Sequence, residues 1–250
     1  MLNNVFKDDI NDSIIIHIPH SSIFIPDYTG FNLEFLEKEI IKLTDWGTDI
    51  IFNNDNVTTI KPNFNRVFCD VERLDDDNEE MFKYGRGFFY TKTDDNKLLR
   101  KNIDNIKSKI YNNYYKPHHK LLTETVNNKL MNNGLCIIFD VHSFSNTPFK
   151  TDINQNPNRP DICLGIDEFH TPKYFIDYVK NAYEKYNLKV EINNPYKGTI
   201  IPLKYYNKNN NVNSIMIEIN RDLYMENDKI LTNKLIFLNK IFNEIINNLI

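Results

Sequence analysis

Along the chain, short runs of apolar residues alternate with stretches of helical spacing. Ser13 to Ile18 is β-branched, apolar and ends at Pro19, which predicts a buried strand. Leu33, Leu36, Ile40 and Leu43 recur near helical spacing, so Leu33 to Phe52 is expected to be a helix. Asn32 is placed as its N-cap, and Gly47 weakens its C-terminal part. Val57 to Ile60 and Arg66 to Val71 read as short strands with Pro62 between them, and Leu74 to Phe89 reads as a loop. Lys97 to Asn132 has the pattern of a long helix that Pro117 must break or kink.

The second half repeats the alternation. Leu135 to Val141 is a continuous apolar strand, and Gly134 just before it suits a helix C-terminus. Phe144 to Pro160, rich in Asn, Pro and Thr, is a long loop. Asp161 to Ile166 and Leu188 to Ile192 are strands flanking an amphipathic helix, Pro172 to Tyr186. Asn193 to Leu203 is a loop around Pro195 and Gly198, Ser214 to Asn220 is a strand, and Asp228 to Ile250 is a C-terminal helix. Strands alternating with helices, two of them apolar on both faces, predict an α/β fold: a mixed, mostly parallel sheet between helical layers.

Composition narrows the function classes. At 250 residues and 41% hydrophobic, residues 1–250 are expected to form one domain with a sizeable core. A formal net charge of −4 offers no global basic surface, so nucleic acid is not an expected partner. No apolar run reaches the roughly 18–20 residues of a membrane span. Met1 to Ser13 has no apolar signal core, so a secretory leader is not expected. Cys69, Cys136 and Cys163 form neither a disulfide framework nor a C-x-x-C pair; a reducing cytoplasm is the expected compartment.

Three expected strands run into titratable residues. The first leads to His20, the second carries Asp140 and His142 in its polar tail, and the third holds Glu218 among isoleucines. Sites in open α/β sheets form at the carboxyl ends of strands. Each histidine alone reads as a turn cap or a satisfied core residue; together they suggest a metal. A hydrolytic zinc takes three nitrogen or carboxylate ligands and leaves a fourth position for water. Asp45 and Asp49, four apart on the expected helix, both stand as candidates for the carboxylate, or as a solvated acidic face.

Period-2 alternation puts Met216, Glu218 and Asn220 on one strand face and Ile215, Ile217 and Ile219 on the other. A carboxylate in so apolar a strand is costly unless paired or used. One use is as a general base; the alternative is a salt bridge, for instance to Arg221. Arg66 and Arg73 can grip carboxylates in bidentate geometry, or Arg73 can pair with Asp75, Asp76 or Asp77. His119, beside His118 on a helix, is a candidate substrate contact or half of a surface pair, and His170 reads as a surface residue. Ser143 lacks a G-x-S-x-G elbow, and no nucleotide-binding glycine motif is present.

Seven motifs in order complete the reading: H-I-P-H-S-S at 17–22, T-D-W-G-T-D at 44–49, N-R-V-F-C-D-V-E-R at 65–73, F-D-V-H-S-F at 139–144, P-D-I-C-L-G at 160–165, N-P-Y-K-G at 194–198 and I-E-I-N-R at 217–221. The set resembles the N-formylglutamate amidohydrolase family and, more distantly, the zinc carboxypeptidases and aspartoacylase. The resemblance implies a three-layer α/β/α, zinc-exopeptidase-like fold. It also implies one divalent metal, zinc first, on His20, a carboxylate and His142. The T-D-W-G-T-D motif favours Asp45 over Asp49. Glu218 takes the place of the late catalytic glutamate, Arg66 and Arg73 those of the substrate arginines, and Asn194 and Tyr196 stand in a substrate loop. The implied substrate is a small N-acyl amino acid, N-formyl-L-glutamate first. Two departures stand out: Ile23 lies three residues after the first histidine where carboxypeptidases carry a glutamate, and Glu72 replaces the amide of an aspartoacylase D-L-N-R.

Overall fold

The computed structural model describes residues 4–7, 13–76, 78–101 and 103–249. Asp77, Ile250 and most of the N-terminal stretch read for a leader lie outside them. The strands of the main sheet are β1 (Asn4–Lys7), β2 (Ile14–His17), β3 (Thr58–Pro62), β4 (Cys136–Phe144), β5 (Ile162–Gly165), β6 (Val190–Ile192) and β7 (Val212–Asn220). Their order across the sheet is β1-β3-β2-β4-β7-β5-β6. The central four, β3, β2, β4 and β7, run parallel, while β1 and the β5–β6 pair run the other way. The expected mixed, mostly parallel α/β sheet is therefore present.

The helices are α1 (Leu33–Leu43), α2 (Thr48–Ile51), α3 (Ile103–Ile110), α4 (Lys116–Asn133), α5 (Lys173–Glu184) and α6 (Thr232–Asn247). Strand alternation decides which residues each layer covers. Ile14, Ile16, Phe139, Val141, Ile215, Ile217 and Ile219 point to one face and pack under α5 and α6, against Phe175, Val179, Leu238 and Phe242. Ile15, Ile138, Cys136 and Val212 point to the other, under Leu122 and Val126 of α4. Burying each such side chain stabilises the fold by about 1.5–3 kcal/mol. On this second face the same alternation carries His17, Asp140, His142 and Glu218.

Four expected elements are redrawn. The helix expected over 33–52 ends at Leu43; Thr44–Gly47 breaks it, with Gly47 at φ 74, and the short α2 follows. Asn32 is the N-cap, its side chain accepting from Glu34 N. The segment 66–71 forms turns, not a strand. Asn65 outcompetes β propensity there: its Oδ1 accepts from Val67 N at 2.9 Å, and its carbonyl accepts from Phe68 N and Cys69 N at 3.0 and 3.2 Å. Pro117 sits in the first turn of α4 behind a π-turn, Tyr111–Tyr115, which widens the helix where the proline ring would meet the preceding turn. The C-terminal helix begins at Thr232 because Asn227 and Asp228, both at positive φ, turn a hairpin between Met225–Glu226 and Lys229–Ile230.

All three cysteines are buried and free. Among the described residues no helix is long and apolar enough to cross a membrane.

Candidate active site

The parallel register brings the site together. His17 stands opposite Asp140 across β2–β4, and His142 opposite Glu218 across β4–β7. All of these strands deliver their carboxyl ends to one edge of the sheet. The chain leaving β2 turns at Pro19 and sets His20 beside His142. Asp45 is not on a helix face with Asp49; it occupies the break between α1 and α2, where its N–H donates to His20 O at 3.0 Å. Asp49 instead pairs with Lys61 at 3.1 Å.

His20 Nδ1 and His142 Nδ1 lie 3.2 Å apart. Asp45 Oδ2 is 3.1 Å from His142 Nδ1 and 3.5 Å from His20 Nδ1. These separations fit one cation. Ligand atoms about 2.0–2.1 Å from a tetrahedral zinc lie roughly 3.3 Å from one another. The far ring nitrogens face carboxylates: His20 Nε2 meets Asp70 Oδ1 at 2.9 Å, and His142 Nε2 meets Glu72 Oε2 at 2.8 Å. The Asp70 carboxylate bonded behind His20 favours the tautomer whose Nδ1 lone pair points inward, while Glu72 stands close to His142 Nε2 without a hydrogen bond. A second group, His17, Glu72 and Asp140, also converges. There, however, His17 Nδ1 and Asp140 Oδ1 are already hydrogen-bonded at 2.9 Å, and Asp140 Oδ2 accepts from Ile200 N at 3.0 Å. That group backs His142 rather than opening inward.

The electrostatics follow from burial and pairing. Burial works against charge on Asp45, but hydrogen bonds from His142 and His20 outweigh it and hold the carboxyl well below its usual range. Burial also opposes charge on Asp70, and Arg66 and His20 overcome it. His142 is lifted above its ordinary value, Glu72 and Asp140 overriding its burial. Glu218 behaves oppositely. It is 8% exposed, its Oε2 has no partner, and burial pushes it up to about 8 against the pull of His142.

A cleft of about 1250 Å³ opens over this cluster, and His20, Asp45, His142, Glu218, Arg66, Arg73 and Tyr196 all line it. Arg66 gives Nε and Nη2 to Asp70 Oδ2 at 3.2 and 2.9 Å. Arg73 lies 3.5 Å from Glu79 and 3.8 Å from Asp70, not against the aspartate run that follows it. Two candidates are not brought to the cleft. Asn194 turns to Glu191 and Asn154, while its neighbours Asn193, Pro195 and Tyr196 form the wall. His119 packs on Tyr115 with ring centroids 4.3 Å apart.

His118 and His170, read as surface residues, are both fully buried. His118 bonds His17 Nε2 at 2.9 Å, and its spacing of four from Leu122 and Val126 was the available signal that it faces the sheet. His170 contacts Val212 O at 2.7 Å through Nδ1 and accepts from Asn207 N at 3.0 Å through Nε2. Arg221 is not paired with Glu218; its Nη2 donates to Asp45 Oδ1 at 3.0 Å. Sequence reasoning also missed Asp70, hidden in an apolar run that reads as a strand, and Arg86, a loop cation with no motif around it.

A mostly parallel sheet with two histidines and two carboxylates at its carboxyl edge, under an arginine-lined cleft, defines a hydrolase-type α/β site. Residues 12–225 match the family model of N-formylglutamate amidohydrolase. The chain belongs to the N-formylglutamate amidohydrolase family, and is an enzyme of the hydrolase class. The fold is similar to that of an N-formylglutamate amidohydrolase from Ralstonia eutropha JMP134, with a TM-score of 0.84 and 20% identity over 100% of this chain and 99% of that one. It is also similar to the gene product Atu2144 from Agrobacterium tumefaciens, with a TM-score of 0.66 and 16% identity over 99% and 94%. No curated protein matches the chain in sequence.

Proposed function

We propose that the protein is a metal-dependent amidohydrolase that cleaves a small N-acyl amino acid, N-formyl-L-glutamate first, to formate and L-glutamate. The observation that carries this reading is the convergence of His20, Asp45 and His142 within 3.5 Å of one another, with Glu218 facing His142 from the next strand. The donor set of two imidazoles and one carboxylate suits zinc first, and also manganese, cobalt or iron. A divalent cation held there would polarise the amide carbonyl and acidify a water.

The chain's own residues supply the rest. Glu218, buried and partnerless at Oε2, accepts a proton from the attacking water and returns it to the departing nitrogen. Arg73 lines the cleft, held loosely by Asp70 at 3.8 Å and Glu79 at 3.5 Å with no hydrogen bond to Nε, and takes a substrate carboxylate. Arg66, committed to Asp70 on one edge, contributes its charge beside it. Tyr196 forms wall rather than acting as an acid, since burial raises its hydroxyl pKa.

The test is elemental analysis of the untagged protein with a formate-release assay. About one equivalent of zinc, lost in His20→Ala and His142→Ala, together with formate release from N-formyl-L-glutamate, supports the reading. A protein that takes up no divalent metal, or that binds metal and releases no acid from any N-acyl amino acid, overturns it.

A further inference from the structure

N-formyl-L-glutamate carries two carboxylates, and Arg66 has already spent Nε and Nη2 on Asp70. The cleft holds another arginine that no motif singled out. Arg86 follows the short 3-10 turn Phe82–Tyr84 and lines the cleft while only 4% exposed. It is anchored on one side only. Its Nη1 donates to Thr151 Oγ1, and its guanidinium carbon lies 5.2 Å from the centre of the Tyr90 ring. Tyr90 in turn donates to Asp70 Oδ2 at 2.7 Å, so Arg86 stands one aromatic ring beyond the carboxylate that supports His20.

The nearest counter-charge is Asp94, whose Oδ1 lies 3.6 Å from Arg86 Nη1. Asp94 is heavily shared: it accepts from Thr151 N at 2.9 Å, Thr151 Oγ1 at 2.7 Å and Lys150 N at 3.1 Å, and also pairs with Lys42. Two cations therefore divide one carboxylate. Glu39, the other acid of this group, is buried, and burial raises its pKa and weakens its hold as an anion. On the far side of the guanidinium, Nε is buried without a partner, and Nη2 makes no hydrogen bond among the described residues. A rigid fork with one edge hydrogen-bonded and Nε of the other edge lacking a protein partner is completed by a carboxylate in bidentate geometry.

We propose that Arg86 forms a second carboxylate-binding subsite of the cleft, taking the side-chain carboxylate of a dicarboxylic amino acid while Arg73 takes the other. This rests on the amidohydrolase reading above. It makes Arg86 the residue that separates glutamate from its neutral isosteres, because a charged fork left unpaired in a buried wall penalises glutamine or norvaline.

The experiment compares kcat/KM for N-formyl-L-glutamate, N-formyl-L-glutamine and N-formyl-L-norvaline in the wild type, Arg86→Met and Arg86→Lys, each loaded with zinc. The wild type is expected to prefer glutamate by at least about a hundredfold. Arg86→Met should bring the three substrates within about threefold, and Arg86→Lys should keep an intermediate preference. The ratio between substrates does not depend on how much of a variant is folded. An undiminished glutamate preference in Arg86→Met overturns the proposal. Calorimetric binding of glutarate against butyrate reads the subsite without turnover. Wild-type protein should bind glutarate at least about tenfold more tightly, and Arg86→Met should not. If no formyl substrate is cleaved yet glutarate binding depends on Arg86, the amidohydrolase reading fails and the subsite stands. If glutarate is bound no better than butyrate by the wild type, the subsite fails.

Discussion

Arg221 donates from Nη2 to Asp45 Oδ1 at 3.0 Å, which leaves the Oδ2 of the same carboxylate turned to His20 and His142. The rest of the guanidinium is fixed by Lys42 O, Ser143 Oγ and Ser143 O. One side chain thus ties the end of α1, the tip of β4 and the only acid of the cluster that comes from a helix break. Arg221→Lys keeps the charge and loses the fork. It is expected to weaken zinc binding by about 10–100-fold, read by competition with a chelator. Unchanged affinity would mean that Asp45 needs no such brace.

Glu218→Gln removes the proposed base while leaving an uncharged side chain of the same shape. A loss in kcat of about 10²–10⁴-fold is expected, with zinc content unchanged. A loss well under tenfold would remove Glu218 from the mechanism.

Asp94 offers a pH test away from the cluster. Burial alone would raise its pKa, but its hydrogen bonds from Lys42 and Thr151 prevail and lower it from 3.8 to about 2. A carboxyl depressed in the folded state stabilises the protein above its unfolded pKa, and that contribution disappears as pH falls through the folded value. Asp94→Asn is therefore expected to cost about 2 kcal/mol at neutral pH, and the difference from wild type should vanish between pH 3.8 and about 2. Urea unfolding of both proteins across that range measures it.

Gly165 packs against Gly198 and Met216, two residues that line the cleft. A Cβ there would lie 2.2 Å from Gly198 O and 2.4 Å from Met216 Cε. The backbone carbonyl cannot swing aside as a flexible side chain can, so Gly165→Ala should displace the 193–200 wall. The expected outcome is a stability loss of about 1–3 kcal/mol and a KM raised severalfold with metal content intact. A KM equal to wild type would show that this wall does not touch the substrate.

Much of the architecture was legible because it is written in local periodicity. The isoleucine runs of β2, β4 and β7, the stop at Pro19, the Asn32 cap and the Gly134 helix end all depend on neighbours a few residues away. Alternation also separated Glu218 from Ile217 and Ile219, and the structure keeps them on opposite faces. Two of the failures share an origin in Asn and Asp chemistry. Asn65 folded an apolar run into turns by hydrogen-bonding its own backbone, and Asn227 with Asp228 made a hairpin where helix was expected.

By itself, then, the sequence determined the strands β2, β4 and β7, the sidedness of Glu218, and the two histidines at strand ends, since periods of 2 and 3.6 need no long-range partner. Spacing left two carboxylates open and the motif resemblance favoured Asp45, but only the tertiary structure shows Asp45 beside both histidines. Asp45 and Asp49 are equivalent by spacing, but the helix ends at Leu43, Gly47 turns the chain between the two aspartates, and Arg221, 176 residues away, holds Asp45 inward. The same holds for Asp70 behind His20 and for Arg86 in the wall. Their roles come from contacts between segments 50 and 65 residues apart, His20 with Asp70 and Arg86 with Thr151. Packing of layers sets such contacts, and no pattern along the chain records them.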